Sequence, residues 1–525
     1  MKGRLTLMIV KLIKKVFSRN ATFIIIMLLQ VAFWVLSVLL LKQHYTWVYG
    51  TIVLVNLTII VYITSSKQNP SYKMVWIILI AVVPVFGGLT YLFLKTRLDS
   101  RHFYRMYCKK EDLTKHFFKS ENNKSDILEI KDKNISAYNL TNYIYSTGFP
   151  VYKNTDIIYY PLGENQFEAM KKELKKAEKF IFMEYFIVST GVLWDEILEI
   201  LKERSAAGVD VRLMVDGIGT QFFNMSGSYL KNIEKNYGIQ CKVFNPFRPF
   251  LSSVQNNRDH RKITVIDGKI AFNGGTNIAD EYINEKVRFG HWKDTAIMLK
   301  GEAVWSFTML FLQLWDMNDT ENQMYEIYKP DFSSKTVKSN YNDCGYVQPF
   351  GDNPITDEHI GAMVYLDLIN NAKNYVYITT PYLIPDHELI TALKLAARKG
   401  VDVRIILPHI PDKWYVYEIA WNYYSELIES GVKIFEYTPG FIHAKHIIVD
   451  DELAVIGTIN FDYRSLYLHF ECGSLMYKCN AISDMLSDFY ETQEKSERIT
   501  IEDCKNRPFY QKAFSYILGL FAPLL

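Results

Sequence analysis

The chain has 525 residues, more than one hydrophobic core usually supports, so two or more domains are expected. Its 59 basic and 57 acidic residues leave a formal net charge of +2, so whole-chain electrostatics does not argue for a nucleic-acid partner. The six cysteines form no Cys-x-x-Cys pair, which disfavours a zinc site or a disulfide framework and fits reduced thiols facing the cytosol.

Three apolar runs open the chain. Ala21 to Leu41 carries no charge and is long enough to cross a bilayer; Trp47 to Thr64 and Met74 to Leu94 follow. Lys42-Gln43-His44-Tyr45 offers no small-residue cleavage site, so an uncleaved, multi-pass integral anchor is expected, not a signal peptide. The polar turn Ser65-Ser66-Lys67-Gln68-Asn69-Pro70-Ser71 predicts a hairpin of the last two runs. Orientation is over-determined. Lys2, Arg4, Lys11, Lys14, Lys15 and Arg19 place the N-terminus in the cytoplasm, and Lys95, Arg97, Arg101, Arg105, Lys109 and Lys110 place the end of the third run there too. Three full crossings cannot satisfy both, so one run is expected to be tilted or only partly inserted, with the globular part cytoplasmic.

Residues 98–150 read as a polar, irregular linker, with solvated charge runs such as Lys109-Lys110-Glu111-Asp112. Beyond it the pattern becomes α/β. An amphipathic helix over Gln166–Lys179 precedes an apolar strand, Phe180–Ile187; a helix over Leu193–Ala207 ends at Gly208, and Val209–Val215 forms the next strand. The same order recurs. Ala372–Leu383 matches the first strand, Glu388–Arg398 the helix, and Gly400-Val401-Asp402-Val403-Arg404 repeats Gly208-Val209-Asp210-Val211-Arg212 letter for letter. Gly238–Phe244 likewise resembles Gly431–Phe435. Strands alternating with helices predict parallel-rich α/β units, here two tandem copies. The expected layout is a membrane anchor over 1–97, the linker over 98–150, and domains over 151–335 and 336–525. The apolar tail Phe509–Leu525 is expected to pack on the core as a terminal helix, or else to dip into a bilayer interface.

Each copy carries His-x-Lys-x-x-x-x-Asp: His260, Lys262 and Asp267, then His443, Lys445 and Asp450. Asn277 and Asn460 follow at the same offset. Alternation along a strand puts each His and its Lys on one face and each Asp on the other, so the two His-Lys pairs converge on one site and each Asp braces its own domain. Two imidazoles and two ammonium groups suit phosphoryl chemistry: one imidazole attacks, the other donates a proton, and the lysines neutralise non-bridging oxygens. Asn277 and Asn460 can add neutral donors. No metal or other cofactor is expected, because a lysine beside each histidine repels a cation. Glu184 and Glu471 are candidate partners that orient the imidazoles. Tyr185, Phe186, Trp292 and Tyr382 could line a lipid groove, with core packing the better default for any single one.

The paired motifs resemble the phospholipase D superfamily, and longer stretches resemble its bacterial cardiolipin synthase branch. These are Asn257-Arg258-Asp259-His260-Arg261-Lys262, Gly274 through Tyr282, Gly290-His291-Trp292-Lys293-Asp294, Pro381 through Asp386, and Gly457 through Ser465. The apolar hairpin ending in Pro84-Val85-Phe86-Gly87-Gly88 and the C-terminal Phe521-Ala522-Pro523-Leu524-Leu525 are similar as well. The resemblance implies two tandem phospholipase D-like domains behind transmembrane helices, and an enzyme that joins two phosphatidylglycerol molecules into cardiolipin and glycerol. It further implies a phosphohistidine intermediate, with His260 as nucleophile and His443 as acid or the reverse, and it counts Asp267 and Asp450 with the catalytic set. A membrane-bound phosphodiesterase hydrolysing phospholipid headgroups is the alternative. His469, in Leu468-His469-Phe470-Glu471-Cys472, departs from the asparagine more usual in the family, and the run over 21–41 exceeds its two-span pattern.

Overall fold

The computed structural model describes residues 31, 35, 45–66, 69–95, 98–118, 123–219, 225–246, 256–319, 324–332 and 345–524. The first apolar run, two positions apart, and the basic residues before it lie outside the described residues. The chain divides into two units: residues 1–103 with 247–256, and residues 104–246 with 257–523.

In the first unit, α1 (Tyr45–Ser65) is the one helix among the described residues long and apolar enough to cross a bilayer. The third apolar run is not a second such helix. It breaks into α2 (Pro70–Val82) and α3 (Pro84–Lys95), because Pro84 has no amide hydrogen to continue the α2 ladder. The arms fold back on each other: the rings of Trp76 and Tyr91 meet edge to face at 5.2 Å. A Cβ on Gly87 would lie 2.7 Å from the Leu79 carbonyl oxygen, so the vertex closes only on a glycine. One on Gly88 would lie 2.8 Å from Asn56 Oδ1, which sets the vertex against the middle of α1. At the other end Lys73 donates to the Thr64 carbonyl at 3.1 Å. Ile59, Ile63, Ile80 and Tyr91 bury themselves between the three helices.

In the second unit the expected irregular linker is helical: α4 (Leu98–Thr114), α5 (Asn123–Lys133) and α6 (Ile135–Ser146). Ile127, Ile130, Ala137, Leu140 and Ile144 enter the core of the second half, so a thin apolar stripe was hidden among charges that face solvent.

Two sheets follow, with one topology repeated. The strands of the first are β1 (Thr155–Tyr160), β2 (Phe180–Tyr185), β3 (Asp210–Asp216), β4 (Gln240–Phe244), β6 (Lys262–Ile266), β7 (Ile270–Gly274) and β9 (Ala296–Gly301), in the order β1-β9-β7-β6-β2-β3-β4. β2, β3 and β4 are parallel; β6, β7, β9 and β1 run antiparallel to their neighbours. The second sheet uses β10 (Tyr346–Asp352), β11 (Tyr375–Thr379), β13 (Asp402–Pro408), β14 (Lys433–Tyr437), β16 (His446–Val449), β17 (Leu453–Gly457), β19 (His469–Tyr477) and β20 (Ser496–Ile499). Its order β10-β19-β17-β16-β11-β13-β14 reproduces the first, with β20 added at the edge. Helices such as α7 (Gly163–Leu174), α8 (Val192–Ala206) and α12 (His387–Arg398) supply the crossovers. The predicted helix over Gln166–Lys179 therefore starts and stops earlier, while the other elements agree within a few residues. This is the expected mixed α/β duplication behind an apolar N-terminal helix.

The tail forms α17 (Phe509–Gly519) against α13 (Trp414–Glu429), with Ser515 and Asn422 exchanging hydrogen bonds and Trp414 stacked on Phe514. Its outer face leaves Phe509, Tyr510, Tyr516 and Ile517 exposed.

Candidate active site

Two short strands tie the halves together and fix the site. β5 (Arg258–Asp259), just before His260, pairs in parallel with the start of β19 from the other half, Asp259 opposite Phe470. β15 (Gly440–Ile442), just before His443, pairs in parallel with β8 (His291–Lys293) of the first half, Ile442 opposite Lys293. The next rung in each case is a histidine amide on the partner strand: His260 N–H donates to the Phe470 carbonyl at 2.9 Å, and His443 N–H to the Lys293 carbonyl at 2.7 Å. That register brings each imidazole to the carboxyl one residue further on. His260 Nδ1 lies 2.8 Å from Glu471 Oε1, and His443 Nδ1 lies 2.6 Å from Asp294 Oδ2. Each half thus supplies the carboxyl that orients the other half's histidine. With Nδ1 engaged, Nε2 is the free ring nitrogen of each imidazole.

The lysines take the same face as their histidines, as strand alternation requires. Lys262 donates back to the His260 carbonyl at 2.6 Å, and Lys445 makes the matching bond to the His443 carbonyl. Arg261 turns to the opposite side, towards the Leu310 carbonyl and Glu184. The charges of the two halves overlap: Lys445 acts on His260, and Lys262 on His443. Burial opposes every charge placed here. It holds both imidazoles well below their ordinary range, with the neighbouring lysine adding to the effect. It lowers Lys262 to about 8 and Lys445 to about 7. It raises Asp294 to about 7 and pushes Glu471 well above the carboxylate range. An anion between the lysines would supply the missing counter-charge.

Several sequence-predicted residues sit apart from these atoms. Asp267 accepts from the amides of Glu178, Lys179 and Phe180, at 2.9, 2.7 and 2.9 Å, and Asp450 from those of Lys373, Asn374 and Tyr375, at 2.7, 2.8 and 2.8 Å. Both have φ of 52° and open a three-residue hairpin loop, followed by Gly268 and Asp451 also at positive φ. Their contacts pin the start of β2 and of β11, which is the bracing role that parity predicts. Asn277 accepts from the Ile187 amide at 2.9 Å and donates to the Tyr282 hydroxyl at 2.7 Å, locking the loop after β2; Asn460 Oδ1 is buried with no hydrogen-bond partner. Glu184 reaches no imidazole: it is fully buried beside Asp259, with Arg261 Nη1 3.9 Å away. Of the aromatics, Trp292 lies 5.6 Å from the His443 ring and Phe186 5.1 Å from that of His260, while Tyr185 bonds Thr264 within the core and Tyr382 bonds Asp412.

Asp294 is the residue that sequence reasoning missed as a partner. It is the counterpart of Glu471: Gly275 N–H donates to the carbonyl after Asp294, as Thr458 N–H does to the carbonyl after Glu471. Among the described residues His260, His469 and Glu471 form one cluster of possible metal-ligand type.

Comparison with known proteins agrees with this architecture. A family model described as cardiolipin synthase, PLD-like domain, matches residues 170–303 and 365–492, and one described as phospholipase D-nuclease N-terminal matches residues 47–95. A cardiolipin synthase of Halalkalibacterium halodurans is 34% identical over 489 residues, covering 91% of this chain and 95% of that one. An uncharacterized protein of Streptococcus mutans serotype c is 45% identical over 467 residues, 89% of this chain and 99% of that one. Among solved structures, phosphatidylserine synthase of Haemophilus influenzae Rd KW20 shares the fold with a TM-score of 0.53 at 15% identity, over 73% of this chain and 98% of that one.

Proposed function

The chain belongs to the phospholipase D-like cardiolipin synthases, a phosphatidyltransferase family, and on that premise we propose that it transfers a phosphatidyl group between two phosphatidylglycerol molecules through a phosphohistidine intermediate. The observation that carries the reading is the pair of crossed imidazole–carboxyl couples, each beside an inward lysine. His260 Nε2 attacks phosphorus, the bond to the headgroup oxygen breaks, and His443 gives that oxygen a proton, releasing glycerol. His443 then takes the proton of a hydroxyl on the second phosphatidylglycerol; its oxygen displaces His260, and cardiolipin leaves. Lys262 and Lys445 hold the non-bridging oxygens as charge builds on them. Asn277 contributes by fixing the loop after β2, and Asn460 is retained as a candidate donor to the phosphate. The domains that go with this reading span 151–335 and 336–525, behind a membrane anchor over 1–97.

The protein is membrane-associated, and the α2–α3 hairpin supports a reading in which the third apolar run does not cross. At 1.5 Å per residue the arms are roughly 18–20 Å long, short of a hydrocarbon core of about 30 Å. The hairpin enters and leaves by the face where α1 ends. With α1 crossing towards the cytoplasm, the basic cluster from Lys95 to Lys110 and the catalytic halves are assigned to the cytoplasmic side.

The test is purified protein with phosphatidylglycerol in mixed micelles. Cardiolipin and glycerol in equal amounts support transfer; phosphatidic acid instead would mean hydrolysis. His260→Ala and His443→Ala are each expected to lower the rate by about 10³-fold or more. A His260→Ala enzyme of near-full activity would remove the assigned roles.

A further inference from the structure

Two buried rings occupy equivalent places beside the two catalytic imidazoles. In each half the residue two before the orienting carboxyl sits on the strand that pairs across the halves: Trp292 opposite Phe441, and His469 opposite Arg258. Trp292 lies 5.6 Å from the His443 ring, and His469 lies 5.5 Å from the His260 ring. The surroundings differ. His443 is boxed by Tyr282, Trp292 and Phe441, whereas His260 has Phe186 on one side and the polar His469 on the other.

His469 is 8% exposed, and neither of its ring nitrogens has a hydrogen-bond partner. The nearest acidic atom, Glu471 Oε1, is 3.7 Å from Nδ1, too far to bond, and Glu471 is already engaged by His260 and Thr458. Leaving two buried imidazole nitrogens unmet is unfavourable, so a group beyond the protein's own is needed to complete the arrangement.

The charge around the ring points to what that is. Arg464, Arg258, Lys262 and Lys413 all bring positive charge to bear on it, with the Glu471 carboxyl 3.7 Å away. A divalent cation would enter against that field, although His260, His469 and Glu471 offer ligand atoms within 4.8 Å of one another. An anionic oxygen would enter with it, and an imidazole N–H is a donor suited to such an oxygen. Lys262 lies near all three rings, its charge acting on His469, His260 and His443 alike.

We propose that His469 is a substrate-binding residue that donates a hydrogen bond to a phosphoryl oxygen of the phosphodiester lying between His260 and His443. The proposal rests on the reading that this gap holds a phosphodiester. It makes the site asymmetric: the phosphoryl group is gripped from the His260 side by an imidazole and Lys262, while the His443 side keeps an aromatic wall.

The test compares wild type, His469→Phe and His469→Asn as full-length proteins in phosphatidylglycerol micelles, with inorganic phosphate as a competing anion and circular dichroism to confirm folding. Loss of one charge-assisted bond should raise KM, and the inhibition constant for phosphate, about tenfold or more in His469→Phe, with kcat changing less. His469→Asn, which keeps a donor, should fall between. A folded His469→Phe enzyme with unchanged KM and phosphate inhibition would overturn the proposal. So would zinc inhibition, reversible by a chelator, that His469→Phe abolishes while KM stays constant, since that would assign the ring to a metal. If wild type yields phosphatidic acid and no cardiolipin, the transfer reading falls, yet the phosphate comparison still decides the role of His469.

Discussion

Asp294 makes the strictest demand on a single side chain. Its Oδ2 accepts from His443 Nδ1 at 2.6 Å, so an amide in its place would present a donor and turn the imidazole to the wrong tautomer. Asp294→Asn is therefore expected to lower kcat on the order of 10³-fold with little change in folding, measured by cardiolipin release and by circular dichroism. The lysines set the pH response. A group that works as a cation is lost as pH rises through its pKa, and Lys445 and Lys262 are lowered to about 7 and about 8 by burial. Thus kcat/KM should fall on the alkaline side, beginning near those values, and a profile flat to pH 10 would contradict the role of both. At this scale much could be read in advance: parity alone put His260 with Lys262 and His443 with Lys445. Asp294 could not, because Glu471 follows Asn460 by 11 residues whereas Asp294 follows Asn277 by 17. Six extra residues between Asn277 and β8 mask the repeat, and only the sheet register restores it.

The hairpin turns show what the last letter of each motif does. Asp267 and Asp450 each hold three backbone amides at the start of a parallel strand, and removing either leaves those donors unmet. Asp267→Ala should cost about 3 kcal/mol, read as a lowered Tm, and Asp450→Ala less, because the amides of Lys373 and Asn374 are exposed. KM should move little in either. The duplicated β-α-β order was legible from the five repeated letters after each helix, since glycine at positive φ (Gly208 at 91°, Gly400 at 93°) ends both helices the same way. The helices over 98–146 were not, because their apolar stripe is narrow and charge dominates the composition. Nor was the fold-back at Pro84, where a continuous apolar run of spanning length conceals two short arms.

For the whole chain, the hairpin topology predicts where surface labels land. Single cysteines placed at Ser66 and at Asp99 should both resist a membrane-impermeant thiol reagent on intact cells and both react in inverted vesicles. Labelling on opposite sides would mean that the third run crosses after all. Composition could announce a membrane anchor but not its path, since the count of apolar residues is the same for a straight helix and for one that returns.

The exchanged strands β5 and β15 have one more consequence. Because each imidazole is aimed by the opposite half, drawing the halves apart would disarm both histidines together, and no intermediate with one working residue would form. A chain severed within 320–344 should accordingly behave as a two-part enzyme, inert as separate fragments and active when they are produced together and reassociate. Graded residual activity from one fragment alone is the outcome this architecture forbids.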